Sequence, residues 1–384
     1  MTALPAPESP PSAEGASPAL AQWFACKAQH PDALLFFQMG DFFELFFADA
    51  EAASEALDIA LSFRGEHQGR KVPMCGVPAH SHEVYLARLI RRGFRVALAQ
   101  QMETPEEAKR RKAPAVRREV VRLVTPGTVT EDSLLEAARP AWLLALAPAG
   151  AKGEAKGEER LGAAWLDITT GLFETESLPA AELPALLARL EPAEVLAPSG
   201  LGPPGTVERT PPRDAARRLA EAWQVASLDG FGEFAPEELA AAAMALDYVA
   251  ETQKGALPRL ARPVPRGGQG VLQMDAATRR SLEILRAERG GARDCLLGAV
   301  DRTVTAAGAR ELAARLACPL AEAAAIAARH DAVAALLAAT PLRGAIRTLL
   351  KGAPDMARAL ARLSLDRFAP RDLAAIRDGL TRAA

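Results

Sequence analysis

The sequence predicts a multidomain α/β plus α protein, with two mixed-sheet domains in series followed by the start of an all-α domain. Three observations lead there. At 384 residues the chain exceeds what one hydrophobic core usually serves, so two or three domains are expected. Up to about residue 235, short apolar runs alternate with amphipathic stretches, the mark of sheets covered by helices. From Glu237 onward nearly every segment is Ala-, Leu- and Arg-rich with helical spacing.

Pro-, Ala- and Ser-rich residues 1–20 read as a disordered tail, with no basic start and apolar block of the kind a secretory signal has. The run LLFFQM has the length and apolar density of a buried strand closed by a Gly40-Asp41 turn, and a helix is expected from Asp49, a good N-cap, through AEAASEALDIAL. RGEHQGRKVP reads as loop, HEVYLARLIRRG as a helix ended by Gly93, and FRVALAQQM as a strand. REVVRLVTPGTV closes this first unit, whose expected bounds are 21–130.

A second unit, 136–262, opens with AWLLALA and LGAAWLDITTGLFETESL as strands of a meander joined by the Gly-rich, mixed-charge insert GAKGEAKGEER, read as a flexible surface hairpin. A helix (AAELPALLARL) and a further strand (AEVLAP) complete a mixed sheet, and EELAAAAMALDYVAETQKG is a helix. After the link LPRLARPVPRGGQG, residues 270–384 read as helices, among them DAATRRSLEILRAE, TAAGARELAARLA, AEAAAIAARHDAVAALLAA and LRGAIRTLLK. The last stretch, DLAAIRDGLTRAA, reads as a helix without a C-cap glycine, so the sequence is expected to be the N-terminal portion of a longer chain.

Composition sets bounds on function. No apolar run reaches the ~18 residues a membrane helix needs, and no membrane partner is expected. Four cysteines without a CxxC pair read as reduced thiols of a cytoplasmic protein. Net charge is only −2, but it is unevenly spread: residues 86–122 carry eleven basic residues against four acidic, while residues 1–60 carry one basic residue against nine acidic. A basic block of that kind is either a phosphate-facing surface or a solvated face.

The stretch LLFFQMGDFFELFFADA is the most unusual. Six of the 13 phenylalanines lie between Phe36 and Phe47, with Asp41 and Glu44 among them. In an extended chain Phe42 and Glu44 share one face while Phe43, Leu45 and Phe47 share the other. The second set then forms core, and Phe42 and Glu44 project outward together. An aromatic ring can wedge between base steps from the minor groove, at least cost where a mispair already stacks poorly. A carboxyl beside it can hydrogen-bond to the exposed base edge; plain packing is the competing reading.

LLFFQMGDFFELFFADA, VPMCGVPAHSHEVYLARLIRRG and REVVRLVTPGTVTED resemble the mismatch-recognition domain of the MutS family, and MDAATRRSLEI and DRTVTAAGARELAARLACPL resemble the start of its helical core. The likeness runs in order from about Ala21 to the C-terminus and is weakest over 140–260, where WLDITTGLF and ALDYVAETQKGALP carry it. It implies a DNA mismatch repair protein binding mispaired or unpaired bases in double-stranded DNA, with Phe42 as the wedge and Glu44 as the base reader. It also implies Arg64 at phosphate and Met74 close to the wedged base, against the plainer readings of an exposed Arg and a packed Met; Arg117, from the basic block, is a further DNA-contact candidate. For the intact protein it implies a homodimer and a C-terminal ATPase using ATP and Mg, which turns binding into a sliding clamp that recruits MutL. The ATPase needs G-x-x-x-x-G-K-[ST], and no Gly-Lys-Ser/Thr occurs here, so no cofactor or catalytic residue is expected in this chain.

The second unit resembles the RNase H-like fold. That raises an alternative, a metal-dependent nuclease centred on Asp167, against the plainer reading that Asp167 stabilises the turn toward Gly171. A regulatory, truncated DNA-binding protein is a further alternative. His80, His82 and Cys75 match no zinc spacing, so no metal is expected there, and His80 is expected to order the turn before its helix.

Overall fold

The computed structural model describes residues 12–131, 134–150, 159–266, 270–291 and 293–383. The chain separates into two compact units, one of residues 1–134 with 248–256, the other of 135–247 with 257–384.

The first unit begins with α1 (Pro18–Gln29), inside the span expected to be tail; Pro18 opens it and the Ser17 side chain caps Leu20 N. Residues 1–11 of that tail lie outside the described residues. Next come β1 (Leu34–Met39), β2 (Phe42–Phe46), α2 (Phe47–Leu57), β3 (Ser62–His67), β4 (Arg70–Pro78), α3 (His82–Arg91), β5 (Val96–Gln101), α4 (Pro105–Arg110) and β6 (Arg118–Val124). The sheet order is β3-β4-β2-β1-β5-β6, with β1 and β5 parallel and the other neighbours antiparallel.

Two expectations need correcting here. RGEHQGRKVP is not loop but the heart of the β3–β4 hairpin, turned by Gln68 and Gly69, both at positive φ as a type I′ turn requires. The helix after β2 starts at Phe47 rather than Asp49, because Asp49 is not a cap. Its Oδ1 accepts from Lys27 Nζ at 2.8 Å and its Oδ2 from Leu35 N at 2.9 Å, while Lys27 Nζ also donates to Ala33 O at 2.6 Å. This buried pair ties α1, β1 and α2 together, and burial pushes the Asp49 carboxyl up despite the pull of Lys27.

Both faces of the sheet are covered. On one, Trp23, Phe24 and Cys26 of α1 pack with Leu35, Phe37, Phe46, Ala97 and Ala99. On the other, Phe43 meets Phe36 at 5.8 Å and His82 of α3 at 5.0 Å.

The second unit opens with β7 (Leu143–Pro148), β8 (Arg160–Asp167), β9 (Leu172–Pro179), α5 (Leu183–Leu190), β10 (Glu194–Ala197), β11 (Val207–Glu208), α6 (Ala215–Ala222), α7 (Pro236–Thr252) and β12 (Val264–Pro265); the last turns of α7 belong to the first unit. The order β11-β10-β7-β8-β9-β12, with β7, β8 and β9 antiparallel and β10 and β11 parallel to β7, is the topology the RNase H-like reading requires. The β8 face packs Leu161, Ala163 and Trp165 against Leu186 of α5. Gly162 faces the start of α7 so closely that a Cβ would lie 2.1 Å from the Glu237 backbone. Most of the insert expected as a surface hairpin, residues 151–158, lies outside the described residues.

The helical part comprises α8 (Ala276–Ser281), α9 (Leu296–Val300), α10 (Ala306–Ala317), α11 (Ala323–Ala338), α12 (Thr340–Leu350), α13 (Met356–Ser364) and α14 (Pro370–Ala383). The single helix expected over DAATRRSLEILRAE is shorter, since α8 stops at Ser281 and Glu283 takes a positive φ. Buried arginines fix this region: Arg310 pairs with Asp355 at 2.7 Å and Arg362 with Asp372 at 2.5 Å. Among the described residues no single helix is long and apolar enough to cross a membrane.

Candidate nucleic-acid interface

The β1–β2 hairpin carries the exposed aromatic. Its two-residue loop, Gly40-Asp41, needs φ +63 at Gly40, a region glycine enters without a Cβ penalty. The tip is braced from several sides. Asp41 O accepts from Ala79 N at 2.8 Å, Arg118 Nε donates to Gln38 O at 2.5 Å, and Gln38 Oε1 accepts from Gln101 N at 3.1 Å. With its amide oxygen turned toward them, Gln101 accepts from both Arg118 Nη2 and Gly40 N at 3.2 Å. The Arg118 guanidinium also lies over the Phe37 ring, 5.0 Å from its centroid.

On β2, Phe42, Glu44 and Phe46 alternate onto one face, as an extended strand dictates. Their exposure falls from 48% to 9% to 6% along the strand. The expectation that Phe42 and Glu44 both project outward is therefore correct for Phe42 and wrong for Glu44. Their face is not the solvent face of the sheet: α1 covers it at Phe46, and Phe42 escapes cover by standing at the strand's end. Phe43 and Leu45 are core as expected, whereas Phe47 has left the strand for α2.

Glu44 lies opposite Phe37 on β1 and Gly76 on β4. Its Oε1 accepts from Arg64 Nη1, and its Oε2 is buried with no hydrogen-bond partner. Gly76 leaves the space between the two side chains open: a Cβ there would lie 3.8 Å from both Glu44 Cγ and Phe42 Cδ1. Burial pulls the Arg118 guanidinium below its ordinary value, against the opposing charge of Glu44.

The other expected contacts are distributed differently. Arg64 on β3 is bonded to Glu44. Met74 is half-buried opposite Phe46 and packs on the α1 side of the core. The cross-strand neighbour of Phe42 is Pro78, four residues and so roughly 13 Å along the strand from Met74. Arg117 is exposed at the entry to β6, with Nε 3.6 Å from Glu119. Within the basic block Arg118 and Arg122 are buried; Arg122 bonds Glu131 and Thr130 Oγ1. Arg88 and Arg91 of α3, Arg92 just after it, and Lys109, Arg110 and Lys112 of the α4 region are exposed.

Sequence reasoning missed Arg118, Gln38 and Gln101 as braces of the hairpin. Arg118 was visible as a member of the basic block, while the two glutamines carried no signal.

The histidine and aspartate constellations resolve into local structure. His82 Nδ1, not His80, bonds Ala79 O at 2.7 Å and orders the turn before α3. Cys75 is buried, its thiol pushed up to about 12 by burial and by Asp49. Asp167 is buried; its Oδ1 accepts from Thr169 N at 2.8 Å and Thr169 Oγ1 at 2.6 Å, and its carbonyl accepts from Gly171 N at 2.8 Å. Its carboxylate thus serves the turn toward Gly171. Among the described residues no group of three or more His, Cys, Asp or Glu is placed to hold a metal ion.

The fold and this site define a modular chain: a mixed-sheet domain presenting a braced aromatic hairpin, an RNase H-like sheet domain, and helices. Sequence comparison gives the same order: residues 17–133 match MutS domain I, 144–261 MutS domain II and 277–384 MutS domain III. The chain belongs to the MutS family. It is 55% identical over 387 residues to the DNA mismatch repair protein MutS of Granulibacter bethesdensis, covering 98% of this chain and 40% of that protein. Against the proteins of that name from Dinoroseobacter shibae and Cereibacter sphaeroides it is 48% and 50% identical, covering 97% and 96% of this chain and 43% and 42% of theirs. The chain thus spans about two fifths of the length of these relatives.

Proposed function

We propose that this chain recognises mispaired or unpaired bases in double-stranded DNA as part of DNA mismatch repair. Phe42 wedges into the base stack from the minor groove, and Glu44 accepts a hydrogen bond from the displaced base. The observation that carries this reading is the pairing of an exposed ring on a braced hairpin with a carboxylate oxygen that lacks a donor, two residues along the same strand face. The exposed bases of α3 and the α4 region supply phosphate contacts, which hold register without reading sequence.

In the whole protein this sensing is coupled to an ATPase using ATP and Mg²⁺, to dimerisation and to MutL recruitment, in the cytoplasm. No Gly-Lys-Ser/Thr occurs in the 384 residues. The relatives' name, DNA mismatch repair protein MutS, supports the reading.

The test is a duplex carrying 2-aminopurine beside a G·T mispair. Wild type should raise its fluorescence by unstacking, and Phe42→Ala should not. An equal rise with both proteins would refute the wedge.

A further inference from the structure

Arg64 and Glu44 meet from separate strands, β3 and β2, with β4 between them. The Arg64 side chain is half exposed and that of Glu44 nearly covered. Among the described residues Arg64 is the side chain that donates to Glu44, while Arg118, also on that face, gives its bonds to Gln38 O, Val116 O and the Gln101 amide oxygen. The other carboxylate oxygen is left buried without a donor, an arrangement that disfavours the structure unless something satisfies that oxygen. A carboxylate at a DNA surface is also repelled by phosphates, so a site that uses one needs its charge cancelled.

We propose that Arg64 is the positioning residue of the base-reading carboxylate. It holds Glu44 by Oε1, leaves Oε2 as the acceptor for a base N–H, and cancels the charge of Glu44 against the DNA backbone. This rests on the reading of Phe42 and Glu44 given above. It differs from a plain phosphate contact in a measurable way. A phosphate contact weakens mispaired and matched duplexes alike, whatever stands at position 44, and removing it lowers the salt slope of binding by about 1. A positioning residue acts through Glu44 alone.

The experiment measures binding of a G·T-mispaired duplex and its matched twin at fixed salt. It uses wild type, Arg64→Ala and Arg64→Lys, and the same Arg64 changes in a Glu44→Gln background, with Phe42→Ala as control and thermal melts to confirm folding. Arg64→Ala should lower mispair affinity about tenfold and shrink the mispaired-to-matched ratio, as loss of a charged hydrogen bond implies. Arg64→Lys should restore part of the ratio, and in the Glu44→Gln background Arg64→Ala should cost less than about twofold. An unchanged ratio, or an equal loss in both backgrounds, overturns the inference; if Phe42→Ala still abolishes discrimination, the wedge reading survives it. If wild type does not discriminate and Phe42→Ala is no different, the wedge reading falls and the inference with it.

Discussion

Replacing Lys27 by Met tests the clamp beneath the recognition hairpin. Lys27 and Asp49 are both almost wholly buried, with side-chain exposures of 3% and 1%. Met keeps the apolar stem of the side chain but removes the charge, leaving Asp49 with the Leu35 amide as its remaining donor. Breaking one side of a buried ion pair costs about 3–5 kcal/mol, a large share of a typical native stability of about 5–15 kcal/mol. Because the Leu35 bond survives, a loss of about 3 kcal/mol is expected.

The pH dependence has a definite sign. Burial already raises the Asp49 carboxyl above the ordinary aspartate value of 3.8, so the folded state holds this proton more tightly than the unfolded chain. Stability from this group therefore falls as pH rises from the unfolded value through the folded one. Losing Lys27 raises the folded value further, and the penalty of Lys27→Met should be smaller near pH 4 than at pH 7. Urea unfolding followed by tryptophan fluorescence reads both, since Trp23 lies in the cluster over this clamp. Adding Asp49→Asn should recover most of the loss, because it removes the stranded charge. A loss under about 1 kcal/mol, or one that grows toward acid pH, would refute the reasoning.

Two further outcomes follow from packing and charge. His30 is buried beside Lys254 and Arg95, which with burial hold its imidazole down to about 4. The unfolded chain takes up that proton first, so stability present above pH ~6.5 is lost as pH falls toward 4, by about 2 kcal/mol after allowing for partial solvent screening; His30→Gln should flatten that limb of a pH–stability curve. Gly162→Ala should destabilise the second unit by about 3 kcal/mol or more in thermal or urea melts, because its Cβ meets backbone rather than a movable side chain.

The strand Leu34–Met39 and the helices α3, α7 and α10 were legible because an apolar run or helical spacing marks each, with Gly93 closing α3 and Thr305 capping α10. The β3 strand was not legible. Five of its six residues are exposed, so no buried face imposes an alternation, and only the Gln68-Gly69 pair hinted at a turn. The short helix α4 is too brief for a period to show, and at α8 the helix was read but its early end at Ser281 was not. Phe42 could be singled out from sequence, since its strand neighbours fix its face. The burial of Glu44 could not, because it depends on how far α1 reaches across the sheet and on a partner twenty residues away on another strand. Asp49 misled for a related reason: a residue type favoured at helix starts was instead held in the buried ion pair.

The most direct test of the central claim is the affinity ratio between a G·T-mispaired duplex and its matched twin, at one salt concentration, for wild type and Phe42→Ala. Stacking of a base on an aromatic side chain is worth about 1–3 kcal/mol, and each 1.4 kcal/mol is about tenfold in affinity. Wild type should prefer the mispair by at least about fivefold, and Phe42→Ala should bring the ratio to near one while leaving matched binding within about twofold. A preference that survives the loss of the Phe42 ring would contradict the account.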